Sequence, residues 1–342
     1  MPSEATVDKA LAAIKQPASY EYFFDRLSSP AWIASLRKRG FFRHPPKGEI
    51  EENYIRFPFW PESRYLARMA SDEPELVLDV LEDIPDTDNP RVLNDILDAL
   101  LEMPPSISIK MATRAISWLS SPYLFTAPEK LGRLAVRLAE ADYVSAALMM
   151  AKELLLPASG DIKTEGNRGR NVFDAKPRYE MWSYERVAQS IVPSIAALEP
   201  MRVIRLLMDV LEAVVRLNAP TAEAPDDGSS FWRPAIENSD QNSPIKEVSD
   251  VVIEALRDAT NAYVRSDPSM LSEITTVLLE RRWSIFRRVS YYLFTENLDT
   301  SWPLARAEVF NSSNFSDLNV YHEFWLLARP LPRGSSLKSN LS

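Results

Sequence analysis

Five prolines in this chain each stand ahead of an apolar run at the same offsets, +3, +6 and +10. Pro74 is followed by Val77, Val80 and Ile84, and Pro90 by Leu93, Ile96 and Leu100. Pro128 leads Leu131, Leu134 and Leu138; Pro200 leads Val203, Leu206 and Val210; Pro268 leads Leu271, Ile274 and Leu278. Offsets of three and four residues put these side chains on one face of a helix. Proline suits the first helical turn, where its missing N–H has no partner to lose and its φ is already helical. Asn89 precedes Pro90 as an expected N-cap, and Asp72 and Glu73 place negative charge where the helix dipole favours it. Pro85 and Pro104–Pro105 stop the two helices of the 72–103 stretch. The intervals between successive prolines are 16, 38, 72 and 68 residues. They fit half a helical hairpin, one, two and two, if a hairpin takes roughly 34–40 residues. The pattern predicts an all-α chain built as a degenerate array of helix pairs.

Composition agrees. Only 8 glycines and 26 prolines occur in 342 residues, against roughly 7% and 5% in ordinary chains. Scarce glycine argues against hairpin-rich β folds and against phosphate-cradling turns. Zero cysteines exclude disulfides, thiol nucleophiles and cysteine-ligated metal, and two histidines, His44 and His322, make a histidine-rich metal site unexpected. A net charge of −9 disfavours nucleic acid as a general partner. Met1–Lys15 lacks the apolar core of a signal peptide, and no stretch reaches about 18 uninterrupted apolar residues. No membrane association is expected, and the cytoplasm is the expected compartment.

Three regions are expected. Residues 1–60 form an N-terminal helical cap ending in an irregular loop over 43–60. Residues 61–329 form the array, interrupted by long insertions at about 157–179 and 218–245. Residues 330–342 read as a linker, which points to a further domain downstream. The first insertion, with Lys163, Arg168, Arg170, Lys176 and Arg178, is basic. The second, with Glu223, Asp226, Asp227, Glu237 and Asp240 against Arg233 alone, is acidic. Loops of this length are commonly functional.

Three surfaces attract attention as binding sites. Around Phe57-Pro-Phe-Trp-Pro-Glu-Ser-Arg-Tyr, the residues Arg56, Trp60, Arg64 and Tyr65 combine rings with guanidinium groups; ordinary core packing is the competing explanation. Inside the acidic insertion, Phe231, Trp232 and Arg233 form an apolar knot that either folds back or anchors a partner. On the 282–296 helix, a face carrying Trp283, Arg287, Arg288 and Tyr291, with Arg281 beside it, could grip phosphates and stack bases. A helix stacked between neighbours would show the same pattern for structural reasons. The acidic loop Asp83–Asn89 lacks the spacing, glycine and bidentate glutamate of an EF-hand, so capping explains it better than calcium. There is no nucleophile elbow, Walker A loop or H-E-x-x-H helix. No catalytic, cofactor or metal residue is therefore assigned.

The Pro74, Pro90, Pro128, Pro200 and Pro268 helices together resemble the HEAT and armadillo-like α-solenoid class over about 61–330. The runs Phe59-Trp60-Pro61-Glu62-Ser63-Arg64-Tyr65-Leu66 and Trp232-Arg233-Pro234-Ala235-Ile236-Glu237 resemble stretches in helical-repeat regions of large bacterial proteins, some near defence-type ATPases. That resemblance implies a sensor or scaffold segment. The expectation is a non-enzymatic helical scaffold that binds a protein partner. Two alternatives stay open: a nucleic-acid sensor using Arg281–Arg288, and an enzyme with a carboxylate pair that sequence does not reveal.

Overall fold

The computed structural model describes residues 2–52, 54–159, 175–219 and 226–329. The basic residues Lys163, Arg168 and Arg170 of the first insertion and the 330–342 tail lie outside the described residues. Among the described residues the fold is all-α apart from two antiparallel pairs of two-residue strands: Glu49–Ile50 with Ile55–Arg56, and Ala158–Ser159 with Ala175–Lys176. The loop expected over 43–60 thus contains a small hairpin. β-Branched Ile50 and Ile55 face each other across it, and Arg56 lies 3.8 Å from Glu49, the residue paired opposite it.

All five proline-led segments are helical. Pro74 opens Pro74–Asp83, Pro90 opens Pro90–Glu102, Pro200 opens Pro200–Asn218, and Pro128 lies in the first turn of Ala127–Glu140. Pro268 begins a 3-10 turn that feeds Leu271–Leu279, and Asp267 caps that turn by accepting from the Ser269 N–H. The periodic residues are buried: Val77, Val80, Leu93, Ile96, Leu100, Leu131, Leu134 and Leu138 are all at most 2% exposed. At roughly 25 cal/mol per Å² of apolar surface, burial of these stripes is the main favourable term. Asn89 caps as its position predicts, accepting from the Arg91 N–H at 3.0 Å.

The described residues fall into two compact units, the first within 2–154 and 178–198, the second within 155–159, 175–177, 199–219 and 226–329. In the first unit, the helices Pro17–Arg26, Pro61–Met69, Pro90–Glu102, Ala127–Glu140 and Met181–Ala196 pack each against the next in that order. A second series, Ile33–Lys38, Pro74–Asp83 and Pro105–Ser108, packs in succession in the same unit. In the second unit, Pro200–Asn218 packs on Val248–Ser266, while Ser284–Glu296 is surrounded by Leu271–Leu279, Leu298–Val309 and Tyr321–Ala328. Tyr291, Phe294, Ala305, Val309, Val320, Phe324 and Leu327 form the core of that last group.

Candidate functional site

The first unit carries a cleft of about 690 Å³ lined by Tyr54, Ile55, Arg56, Phe57, Pro58, Phe59, Arg91, Tyr123 and Phe125. Three distant segments build it. Asn89, besides capping its helix, donates from its side-chain amide to the carbonyls of Pro46 (3.1 Å) and Pro58 (2.8 Å), which pins the 46–58 loop beside the Pro90–Glu102 helix. Gly48 lets that loop close: a Cβ there would lie 2.9 Å from the Phe57 ring. Phe57 in turn packs against the 121–126 turn, its ring centroid 4.9 Å from the tilted Tyr123 ring and 5.8 Å from Phe125, which it meets edge to face.

Phe125 occupies the left-handed region at φ 47°. For a bulky L-residue that conformation costs about 1–2 kcal/mol, and such strain is commonly held at functional positions. The rings are nonetheless not spent on the core: Tyr54 is 60%, Phe59 55% and Phe125 56% exposed. Two guanidinium groups line the cleft with them and no carboxylate does. Arg91 lies over the Phe59 ring at 4.0 Å, and Arg64 approaches the same ring at 5.6 Å. The Arg91 Nε–H is buried without a hydrogen-bond partner. Such an N–H costs roughly 1–3 kcal/mol until something accepts from it.

Of the residues singled out from this stretch, Arg56 lines the cleft and Arg64 borders it through Phe59. Trp60 and Tyr65 do not belong to a binding surface. Trp60 is 4% exposed, and Tyr65 is fully buried with its hydroxyl donating to the Ser29 carbonyl at 2.7 Å. The motif alternates between the two sides of a loop entering a helix, so half of its rings face the core. Tyr54, Arg91, Tyr123 and Phe125 also line the cleft and stand outside the 57–65 motif. Phe57 and Phe59 were visible in the motif; Arg91, Tyr123 and Phe125 are brought there only by tertiary packing.

In the second unit the apolar knot of the acidic insertion is divided. Phe231 is exposed, while the Trp232 indole N–H donates to the Asp227 carbonyl at 3.0 Å. Arg233, expected on a binding surface, is 2% exposed. It donates to the Ala235 carbonyl at 2.9 Å and pairs with Asp250 at 2.9 Å and Glu254 at 3.4 Å. Ala235 and Ile236 behind it are fully buried.

The 281–291 face is corrected more completely. Trp283 is 3% exposed, Tyr291 is fully buried, and Arg288 is 1% exposed. Arg288 makes two charge-assisted bonds to Glu323, at 2.7 and 2.8 Å, and donates to the Pro234 carbonyl at 3.0 Å. Arg287 pairs with Asp317 at 2.9 Å, and Arg281 with Asp209 and Glu212. The Tyr291 hydroxyl donates to Glu308 at 2.6 Å; burial first, and that carboxylate with it, raise the phenol above its ordinary pKa. A helical wheel separates apolar from polar faces, but this helix has neighbours on most of its arc. Its arginines are accordingly neutralised by carboxylates rather than free for phosphates.

Two carboxylates in the first unit have raised pKa values. Burial pushes Asp95 up to about 6, opposed by the Ser63 hydroxyl donating at 2.6 Å. Burial also raises Glu62, opposed by the Tyr20 hydroxyl that donates to it. Neither lines the aromatic cleft. Among the described residues no helix is long and apolar enough to cross a membrane. No family model, curated protein or solved structure matches this chain.

Proposed function

We propose that this protein is a non-enzymatic helical scaffold of the HEAT/armadillo-like kind, docking an extended acidic segment of a protein partner in the Arg56/Arg91 aromatic cleft. The succession of packed helices from Pro17–Arg26 to Met181–Ala196 supports the stacked-hairpin reading. The observation that carries the docking site is the cleft lining: three half-exposed rings around two guanidinium groups, with no carboxylate among them. A complementary ligand offers a carboxylate to Arg91, and to Arg56 in exchange for its exposed 3.8 Å contact with Glu49, and a proline or aromatic side chain to the rings. Arginine and aromatic residues are the side chains that most often dominate protein–protein binding energies. The nucleic-acid reading loses its principal support because Arg281, Arg287 and Arg288 are each paired with carboxylates.

The test is selection of phage-displayed peptides on the intact chain, followed by fluorescence anisotropy of the enriched peptides. Enrichment of Asp or Glu next to Phe, Trp or Pro is expected, with binding at least about tenfold weaker to Arg91→Glu and to Phe59→Ala. Enriched peptides without an acid, or equal binding to both variants, would overturn the reading. Strongly salt-dependent retention of an oligothymidylate by the cleft would replace it with nucleic-acid binding.

A further inference from the structure

One of the chain's two histidines, His322, lies with two carboxylates in the second unit. Glu237, His322 and Glu323 each offer a ligand atom, and the three atoms lie within 4.8 Å of one another. The elements that place them are distinct. Glu237 belongs to the acidic insertion, where its carbonyl accepts from the Asn242 amide at 2.9 Å. His322 and Glu323 stand in the first turn of Tyr321–Ala328. Arg233 and Arg257 hold the insertion down; Arg257 donates to the Ile236 carbonyl at 3.1 Å and to Asn238 at 2.8 Å.

Hydrogen bonding within this cluster is incomplete. The His322 Nε2 is 2.7 Å from Glu237 Oε1, but Glu237 Oε2 is buried and has no partner. On Glu323, Oε1 accepts from the Ile236 N–H at 3.0 Å and from Arg288 at 2.8 Å, whereas Oε2 accepts only the Arg288 Nε–H at 2.7 Å. A carboxylate oxygen has two lone pairs, so Glu323 Oε2 and Glu237 Oε2 both retain acceptor capacity. Arg288 fixes the Glu323 carboxylate as an outer hydrogen-bond partner does at metal sites. It balances one of the two negative charges and leaves the other for a cation.

We infer that Glu237, His322 and Glu323 form a zinc site that ties the acidic insertion to the Tyr321–Ala328 helix. One imidazole nitrogen and two carboxylate oxygens suit Zn²⁺, whereas Ca²⁺ and Mg²⁺ prefer all-oxygen shells. Bonds of about 2.0–2.2 Å require the three atoms to draw closer than 4.8 Å. Glu237 and His322, each about one-third exposed, have the side-chain freedom to do so. His322 exchanges its contact with Glu237 for the metal, and water completes the shell. Because Zn²⁺ bridges two separate segments of the folded chain, it stabilises the native state by mass action. The inference is independent of the peptide cleft, which lies in the other unit.

The test is calorimetric titration of ZnCl2 into the full chain after chelator treatment, with MgCl2 and CaCl2 as comparisons and thermal melting in parallel. One Zn²⁺ per chain, a raised Tm, and weaker binding by at least about tenfold in both His322→Gln and Glu237→Gln are expected. His44→Gln serves as the control and leaves zinc affinity unchanged. The inference is overturned if zinc does not bind, if both variants bind it as tightly as wild type, or if His44→Gln abolishes it. A variant that lowers Tm with no change in zinc affinity would reduce the cluster to an ion pair and overturn it equally.

Discussion

Glu323→Leu should be among the most damaging single substitutions in the second unit, and its cost can be worked out from its partners. Glu323 and Arg288 are each 1% exposed as side chains and share two charge-assisted bonds. Removing one member of a buried pair strands the other charge, at about 3–5 kcal/mol. The Ile236 N–H also loses its acceptor, which adds roughly 1–3 kcal/mol. A loss of about 4–8 kcal/mol is expected, a large share of the roughly 5–15 kcal/mol typical of a folded domain. Arg288→Met should cost about 3–5 kcal/mol for the same reason. The double variant removes both charges, leaving only the Ile236 N–H and the Pro234 carbonyl unpaired, and apolar replacement of a buried pair returns 1–4 kcal/mol. It should therefore lie within roughly 2 kcal/mol of wild type, a coupling of several kcal/mol between neighbouring positions. Urea unfolding in a metal-free buffer, followed by tryptophan fluorescence and circular dichroism, gives the cycle. If either single variant cost less than about 1 kcal/mol, the pair would be behaving as a surface ion pair and the burial argument would fail.

Other expectations follow from the first unit. Because burial raises Asp95 to about 6, its contribution is fully present below the unfolded value near 4 and is lost as pH rises through about 6. Asp95→Asn should remove roughly 1–2 kcal/mol of that decline, read as a smaller change in urea midpoint between acid and neutral pH; an unchanged slope would contradict the assignment. Glu62, raised in the same direction, leaves a residual slope of the same sign. Phe125→Asn places a residue that tolerates φ > 0 at a strained position. The 1–2 kcal/mol of relief offsets the lost ring contact with Phe57, so thermal stability should change by less than about 1 kcal/mol while anisotropy binding of acidic peptides falls. Leu97→Ala, at a fully buried position of Pro90–Glu102, should cost about 2–5 kcal/mol in the same denaturation assay.

Helical positions were legible because their causes are local. Proline at a helix start, asparagine before it and apolar spacing of three to four act within one turn, so the Pro90–Glu102 helix and its Asn89 cap follow from a dozen residues. The surfaces were not legible in the same way. Arg288 and Arg287 are neighbours on a basic helix in sequence, yet their fates are set by Glu323 and Asp317, at least thirty residues away. Charge reads as exposure until a distant carboxylate is known to be waiting. The small hairpin at Glu49–Arg56 is not legible in sequence because two-residue strands are too short for alternation to register.

The amino-acid sequence alone determined that this protein is helical, where its main helices begin and which face of each is apolar, since those choices are made by backbone sterics and side chains within reach along one turn. Tertiary structure alone decided which arginines are spent in the core, which rings line a cleft, and that Glu237 meets His322. These depend on residues from 17 to 85 positions apart. Burial and pairing are properties of such meetings, and a linear pattern carries no distance between them.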